Sequence, residues 1–102
     1  MLALRPNCEY CDKDLPPDAA DAMICTYECT FCASCVNDHL FNVCPNCGGG
    51  LQPRPIRPAV ARRDGVSLTH QPGSPDRVHL SYDKQNIAEF VAATKTIDPA
   101  SR

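Results

Sequence analysis

The chain has 102 residues, 43% of them apolar and 22% charged, with 10 Pro, 5 Gly, no Trp and a formal charge of −2. That length accommodates one small domain and a tail and excludes a multi-domain enzyme. Eight residues are Cys, a density that marks a short chain as either a disulfide scaffold or a metal scaffold.

The stretch from Met1 to Cys8 has neither the apolar core nor the small-residue cleavage site of a secretory signal. No run of apolar residues is long enough to span a bilayer. The expectation is a cytoplasmic chain without membrane association, in a reducing compartment where thiols stay free or bind a metal.

All eight Cys fall in the first 47 residues, spaced Cys8-x2-Cys11, Cys25-x3-Cys29, Cys32-x2-Cys35 and Cys44-x2-Cys47. Two thiolates on one tight turn grip an ion from one side, and the turn's N–H groups remain available to the sulfurs. Each pair is half a tetrahedron, so four pairs make two all-thiolate sites with no thiol left over, and Zn²⁺ is the expected occupant of both. Disulfides fit poorly, because Cys29, Cys32 and Cys35 are too crowded to be bridged separately. An iron–sulfur cluster on Cys29, Cys32, Cys35 and Cys44-Pro45 is an alternative by spacing, but it leaves Cys8, Cys11, Cys25 and Cys47 without a role. A thiol-redox protein lacks the βαβ frame that such motifs sit on.

The apolar residues of this stretch, among them Leu15, Phe31, Val36, Leu40 and Val43, are too few to order it alone, which makes bound metal the expected main support of the fold. Val36 to Asn42 has helical spacing and predicts one short helix. Spacing leaves two wirings open. In one, Cys8/Cys11 join Cys25/Cys29 and Cys32/Cys35 join Cys44/Cys47. In the other, Cys8, Cys11, Cys32 and Cys35 form site 1 while Cys25, Cys29, Cys44 and Cys47 form site 2.

The order of these pairs, with the short helix between the sixth and seventh ligands and Pro45 after Cys44, resembles a RING finger, the cross-braced two-zinc domain. The resemblance spans residues 8–47 and implies the second wiring, with Cys29 standing where that family usually has His. RING domains commonly hold a ubiquitin-conjugating enzyme. Here Tyr10 replaces the usual aliphatic contact, Gly48 replaces a basic residue and no Trp completes the groove, so that activity is not expected. A second resemblance is closer in wording. Arg5-Pro-Asn-Cys8, Asp14-Leu-Pro-Pro17, Cys29-Thr-Phe-Cys32 and Cys44-Pro-Asn-Cys-Gly-Gly49 are similar to an uncharacterised bacterial family of short eight-cysteine proteins, a domain of unknown function. That likeness covers roughly residues 1–52 and implies a zinc-binding module without implying an activity.

Three regions follow: a two-zinc domain over 1–50, a Pro/Arg-rich linker over 51–64 and a tail over 65–102. In residues 1–50 two cations, Arg5 and Lys13, face seven carboxylates, a net of −5, whereas residues 51–102 carry +3. Pro53, Pro55 and Pro58 predict an extended linker with little packing of its own. Its Arg54, Arg57, Arg62 and Arg63 are the candidate nucleic-acid contacts, opposed by the acidic domain beside them. In the tail, Val66, Leu68 and His70, then Val78, Leu80 and Tyr82, alternate around Gln71-Pro-Gly-Ser-Pro-Asp76 and predict a short hairpin. Ile87, Phe90, Val91 and Thr94 predict a helix near 84–96 with Asp83 as N-cap, docked weakly on the first region. His39 is expected on the surface of the short helix, and His70 and His79 on strand faces.

No catalytic set emerges, and a zinc with four thiolates has no open position for water. The expected function is a non-enzymatic structural zinc module that binds a protein partner. A nucleic-acid-binding zinc protein using the Arg-rich linker is the first alternative and an iron–sulfur or thiol-redox protein the second.

Overall fold

The computed structural model describes all residues from Met1 to Arg102. Three short strands come first and last around a helical turn: β1 (Ala22–Ile24), β2 (Thr30–Cys32) and, after the helix, β3 (Gln52–Pro53). The helix α1 opens as an α-turn over Ala33–Cys35 and widens into a π-turn over Val36–Leu40. A longer helix, α2 (Lys84–Thr94), and a 3-10 turn, Pro99–Ser101, complete the chain.

The sheet has the order β2-β1-β3 and is antiparallel throughout. Met23 pairs with Phe31 on one side and with Pro53 on the other. Proline has no N–H to give a ladder, so β3 suits only the sheet's edge. The β1–β2 connection, Cys25 to Cys29, closes through Glu28 N–H donating to the Cys25 carbonyl at 3.1 Å, with Glu28 left-handed at φ 69°. β2 runs into α1 without a loop, and Cys32, still extended, is the helix N-cap. The predicted short helix is therefore present, but it starts three residues early and is π-wound. It ends at Phe41 and Asn42, both left-handed, which turns Val43 and Cys44 back into the core.

Six of the fifteen residues in the buried cluster are cysteines: Cys8, Cys25, Cys29, Cys32, Cys35 and Cys44. Leu15, Phe31, Leu40 and Val43, all fully buried, fill the space around them. The molecule is flat, 46 × 26 × 18 Å, and buries only 23 of its 102 residues. No helix is long and apolar enough to cross a membrane.

Two expectations need correction. The linker does not stand apart from the domain, because Leu51 is buried, Gln52–Pro53 joins the sheet, and Arg54 is buried with its guanidinium donating to the carbonyls of Arg5, Leu15 and Pro16. Pro6, Pro16 and Pro17 interrupt that part of the chain, and a five-donor guanidinium satisfies carbonyls that a regular ladder would not reach. The tail hairpin does not form either. Residues 67–71 make a tight turn in which Gln71 N–H donates to the Ser67 carbonyl at 2.8 Å, and Val78 to Leu80 runs beside Asn7 to Glu9 instead. A two-stranded hairpin has no core of its own, and the domain supplies one, with Leu80 packed against the buried cluster. Helix α2 lies where the periodicity placed it. Asp83 caps it by accepting from Asn86 N–H at 2.7 Å, and Ile87 and Val91 are buried.

Candidate metal centres

The first centre is built by a turn and a helix start. Asp12 N–H donates to the Cys8 carbonyl at 2.8 Å with Asp12 left-handed at φ 64°, a tight turn that brings Cys8 and Cys11 to one side. Cys32 at the N-cap and Cys35 one helical turn on supply the other two sulfurs. The Sγ atoms of Cys8, Cys11, Cys32 and Cys35 all lie within 4.8 Å of one another, and only Cys11 is exposed. Sulfurs at about 2.3 Å from a tetrahedral ion are about 3.8 Å apart. The Cys11 Sγ to Cys32 Sγ distance is 3.8 Å. The donor set and its spacing fit a tetrahedral metal ion.

The second centre repeats the turn. Gly48 N–H donates to the Cys44 carbonyl at 2.7 Å, and Gly48 takes φ 80°. A side chain there would be strained by that φ and would also meet the Phe90 ring at 3.3 Å. Cys25, Cys44 and Cys47 gather within 4.8 Å. Tyr27 N–H donates to Cys25 Sγ at 3.3 Å and Gly49 N–H to Cys47 Sγ at 3.4 Å, the kind of support that holds a thiolate. The sequence puts Cys29 in this set, and the structure places it beside the trio, facing Cys44, Cys25 and Asn46, but outside the tightest grouping. The chain thus visits the centres alternately, first with Cys8 and Cys11, then Cys25, then Cys32 and Cys35, and finally Cys44 and Cys47. All eight cysteines are free of disulfides.

The thiols hold their protons unevenly. Burial pushes Cys8 and Cys35 up, and neighbouring thiols add to the rise of Cys35. Burial also raises Cys11, but the N–H of Lys13 and the surrounding thiols outweigh it and leave Cys11 lowered. In the second centre, proton sharing with Cys44 brings Cys29 down to about 5, and the same sharing drives Cys44 up. Burial takes Cys25 to about 11.

Glu9 and Asn7, which the sequence did not single out, tie the centres to the frame. Glu9 is buried, and its carboxylate accepts from Thr30 N–H at 2.5 Å, Arg5 at 2.9 Å and Asn46 at 3.3 Å. Burial raises its pKa despite those three donors. Asn7 is fully buried and donates to the Cys8 carbonyl, Asp12 and the Val78 carbonyl. Both residues lie inside or beside a cysteine turn, where no periodicity marks them.

Of the four candidate nucleic-acid contacts, Arg54 is buried, and Arg57 donates to the carbonyls of Gln71 and Leu2 at 2.6 and 2.8 Å. Arg62 and Arg63 are exposed. His39 is exposed and stacks on Tyr10 with ring centroids 4.9 Å apart, His70 takes a 2.8 Å hydrogen bond with Ser67, and His79 one with Asp12 at 3.1 Å.

Comparison with known proteins places the two centres in a shared unit. An uncharacterized protein of Rhizobium meliloti (strain 1021) is 70% identical over 59 residues, which is 58% of this chain and 70% of that protein. No solved structure matches. The profile of a family described as "Protein of unknown function (DUF1272)" matches residues 1–57, the segment that contains all eight cysteines and the whole sheet, and the chain belongs to that family.

Proposed function

We propose that this chain is a structural zinc protein and a non-enzymatic module for binding a protein partner. Cys8, Cys11, Cys32 and Cys35 hold one Zn²⁺ and Cys25, Cys29, Cys44 and Cys47 the other, in the cross-braced manner of a RING finger. The observation that carries the reading is the gathering of four sulfurs from two separate segments within 4.8 Å, with one pair at the 3.8 Å edge of a zinc–thiolate tetrahedron. Soft thiolates in a tetrahedral set favour Zn²⁺ among the available dications.

Four thiolates around each ion leave no position for a bound water, so the ions brace the chain and activate nothing. An iron–sulfur protein would use the same donors but would be coloured. A nucleic-acid role along the linker is left with Arg62 and Arg63 as its exposed cations, since Arg54 and Arg57 are engaged with backbone carbonyls.

The test is the metal content of protein isolated without added metal. Two zinc ions per chain and a colourless solution are expected. Iron with visible absorbance, or a single ion per chain, would contradict the reading.

A further inference from the structure

We infer that residues 77–102 are a displaceable ligand of the metal module, and that the face they cover is a docking surface for a protein segment of the same chemistry. That segment is an extended stretch bearing an arginine, followed by a short helix with a cation at each end. The inference rests on the reading of residues 1–57 as a protein-binding module and names the partner class for it.

The charges of this segment are sorted by direction. All four of its cations face the module. Arg77 reaches Asp12 and Asp14 at 2.8 and 2.7 Å, and Lys84 lies 4.8 Å over the Tyr10 ring. Lys95 lies 4.7 Å over the Phe41 ring, and Arg102 donates to the carbonyls of Asn42 and Gly48 at 2.7 and 3.2 Å. Its carboxylates are turned to its own backbone and side chains: Asp83 and Asp98 cap turns, and Glu89 accepts from Gln85. Such sorting is what complementarity to an acidic surface with exposed aromatic faces produces.

The backbone is read as well. The amide of Asn7 imitates a strand, accepting from Val78 N–H at 3.1 Å and donating to the Val78 carbonyl at 2.8 Å, and Leu80 N–H continues to the Glu9 carbonyl at 3.3 Å. This is recognition by strand addition followed by a helix on a groove. The apolar anchor is small: Ile87 and Val91 are buried, while Phe90 remains 39% exposed. A contact dominated by polar pairs and three aliphatic side chains, of which Leu80 is only partly buried, opens more easily than the metal-clamped core.

The receiving residues, from Asn7 to Gly48, lie inside the segment that matches the family, whereas residues 77–102 lie beyond it. The face therefore belongs to the shared unit, and the tail is this chain's occupant of it. A partner carrying an equivalent segment competes for the same acidic carboxylates and rings.

The experiment uses the full metal-loaded chain, a doubly substituted variant (Arg77→Gln with Val91→Ala) and a labelled synthetic peptide of residues 76–102 as probe. Hydrogen exchange in α2 is expected to accelerate at least about tenfold in the variant, with residues 1–57 and the metal-to-chain ratio unchanged. The peptide is expected to bind the variant at least about tenfold more tightly than it binds the wild type, whose own tail competes. Raising salt from about 0.1 to about 1 M should speed α2 exchange in the wild type, which tests release without a substitution. Loss of protection in α2 only together with residues 1–57, or no peptide binding to a variant whose helix is released, would overturn the inference. A wild-type metal count other than two would instead sink the zinc reading and leave the exchange comparison standing.

Discussion

Residues 1–57 and residues 77–102 fold against each other with different means. The first region gathers its buried cluster around six cysteines and closes it with buried polar residues, Asn7, Glu9 and Arg54, each carrying several hydrogen bonds. The second buries Ile87 and Val91, rests Leu80 against the cluster and reaches across with four cations. One region should answer to metal and proton concentration and the other to ionic strength. On the proposed reading, a short chain combines a metal-held unit with a releasable one.

The most damaging change to the first region is Cys32→Ser, which removes a thiolate from the more compact centre. It should cut the metal-to-chain ratio by one and abolish the cooperative melt, since structural zinc contributes on the order of 10 kcal/mol. Native mass spectrometry and circular dichroism would show both losses. Cys29→Ser should do less, because Cys29 stands outside the tight trio. Equal losses in the two variants would erase the difference between the centres.

Acid should act on the first region in the same direction. Without metal, Cys8, Cys35, Cys25 and Cys44 are raised and hold their protons at neutral pH. Binding an ion expels them, so affinity rises with pH and falls on acidification. At least two protons leave each centre, and affinity should fall about 100-fold per site for each unit below neutrality. Competition with a chromophoric chelator at pH 7 and pH 6 measures it. An unchanged affinity would mean the thiols are already ionised.

Smaller effects separate the regions further. Arg54→Ala strands the carbonyls of Arg5, Leu15 and Pro16 and should cost about 3 kcal/mol, read as a fall of roughly 15 °C in the melting temperature. Val91→Ala should cost about 1 kcal/mol and loosen only α2, with metal content unchanged. Arg62→Ala, at an exposed position, should shift stability by less than about 0.5 kcal/mol.

The paired cysteines were legible in the sequence because ligand spacing is a local signal, and α2 because Asp83, Ile87 and Val91 state a cap and a face within one segment. Spacing alone left the partners of the pairs open, since four half-sites can join in more than one way and long-range packing decides, and only the RING resemblance pointed to the second wiring. Arg54 read as an exposed linker cation because composition carries no record of the carbonyls that Pro6, Pro16 and Pro17 leave without a ladder. Val66 to Tyr82 misled for a related reason. Its alternation predicted a hairpin, but Val78 and Leu80 pair with Asn7 and Glu9, far away in the chain. The π-turn over Val36–Leu40 has no sequence signature comparable to a cap.

The most direct measurement is a chelator titration of the purified chain, with released metal and circular dichroism recorded together. Release of two zinc ions per chain, with structure in residues 1–57 lost in step and restored when zinc is returned, is the expected result. A chain that keeps its circular dichroism and its core exchange protection after both ions are gone would contradict the claim that thiolate-bound metal holds this fold.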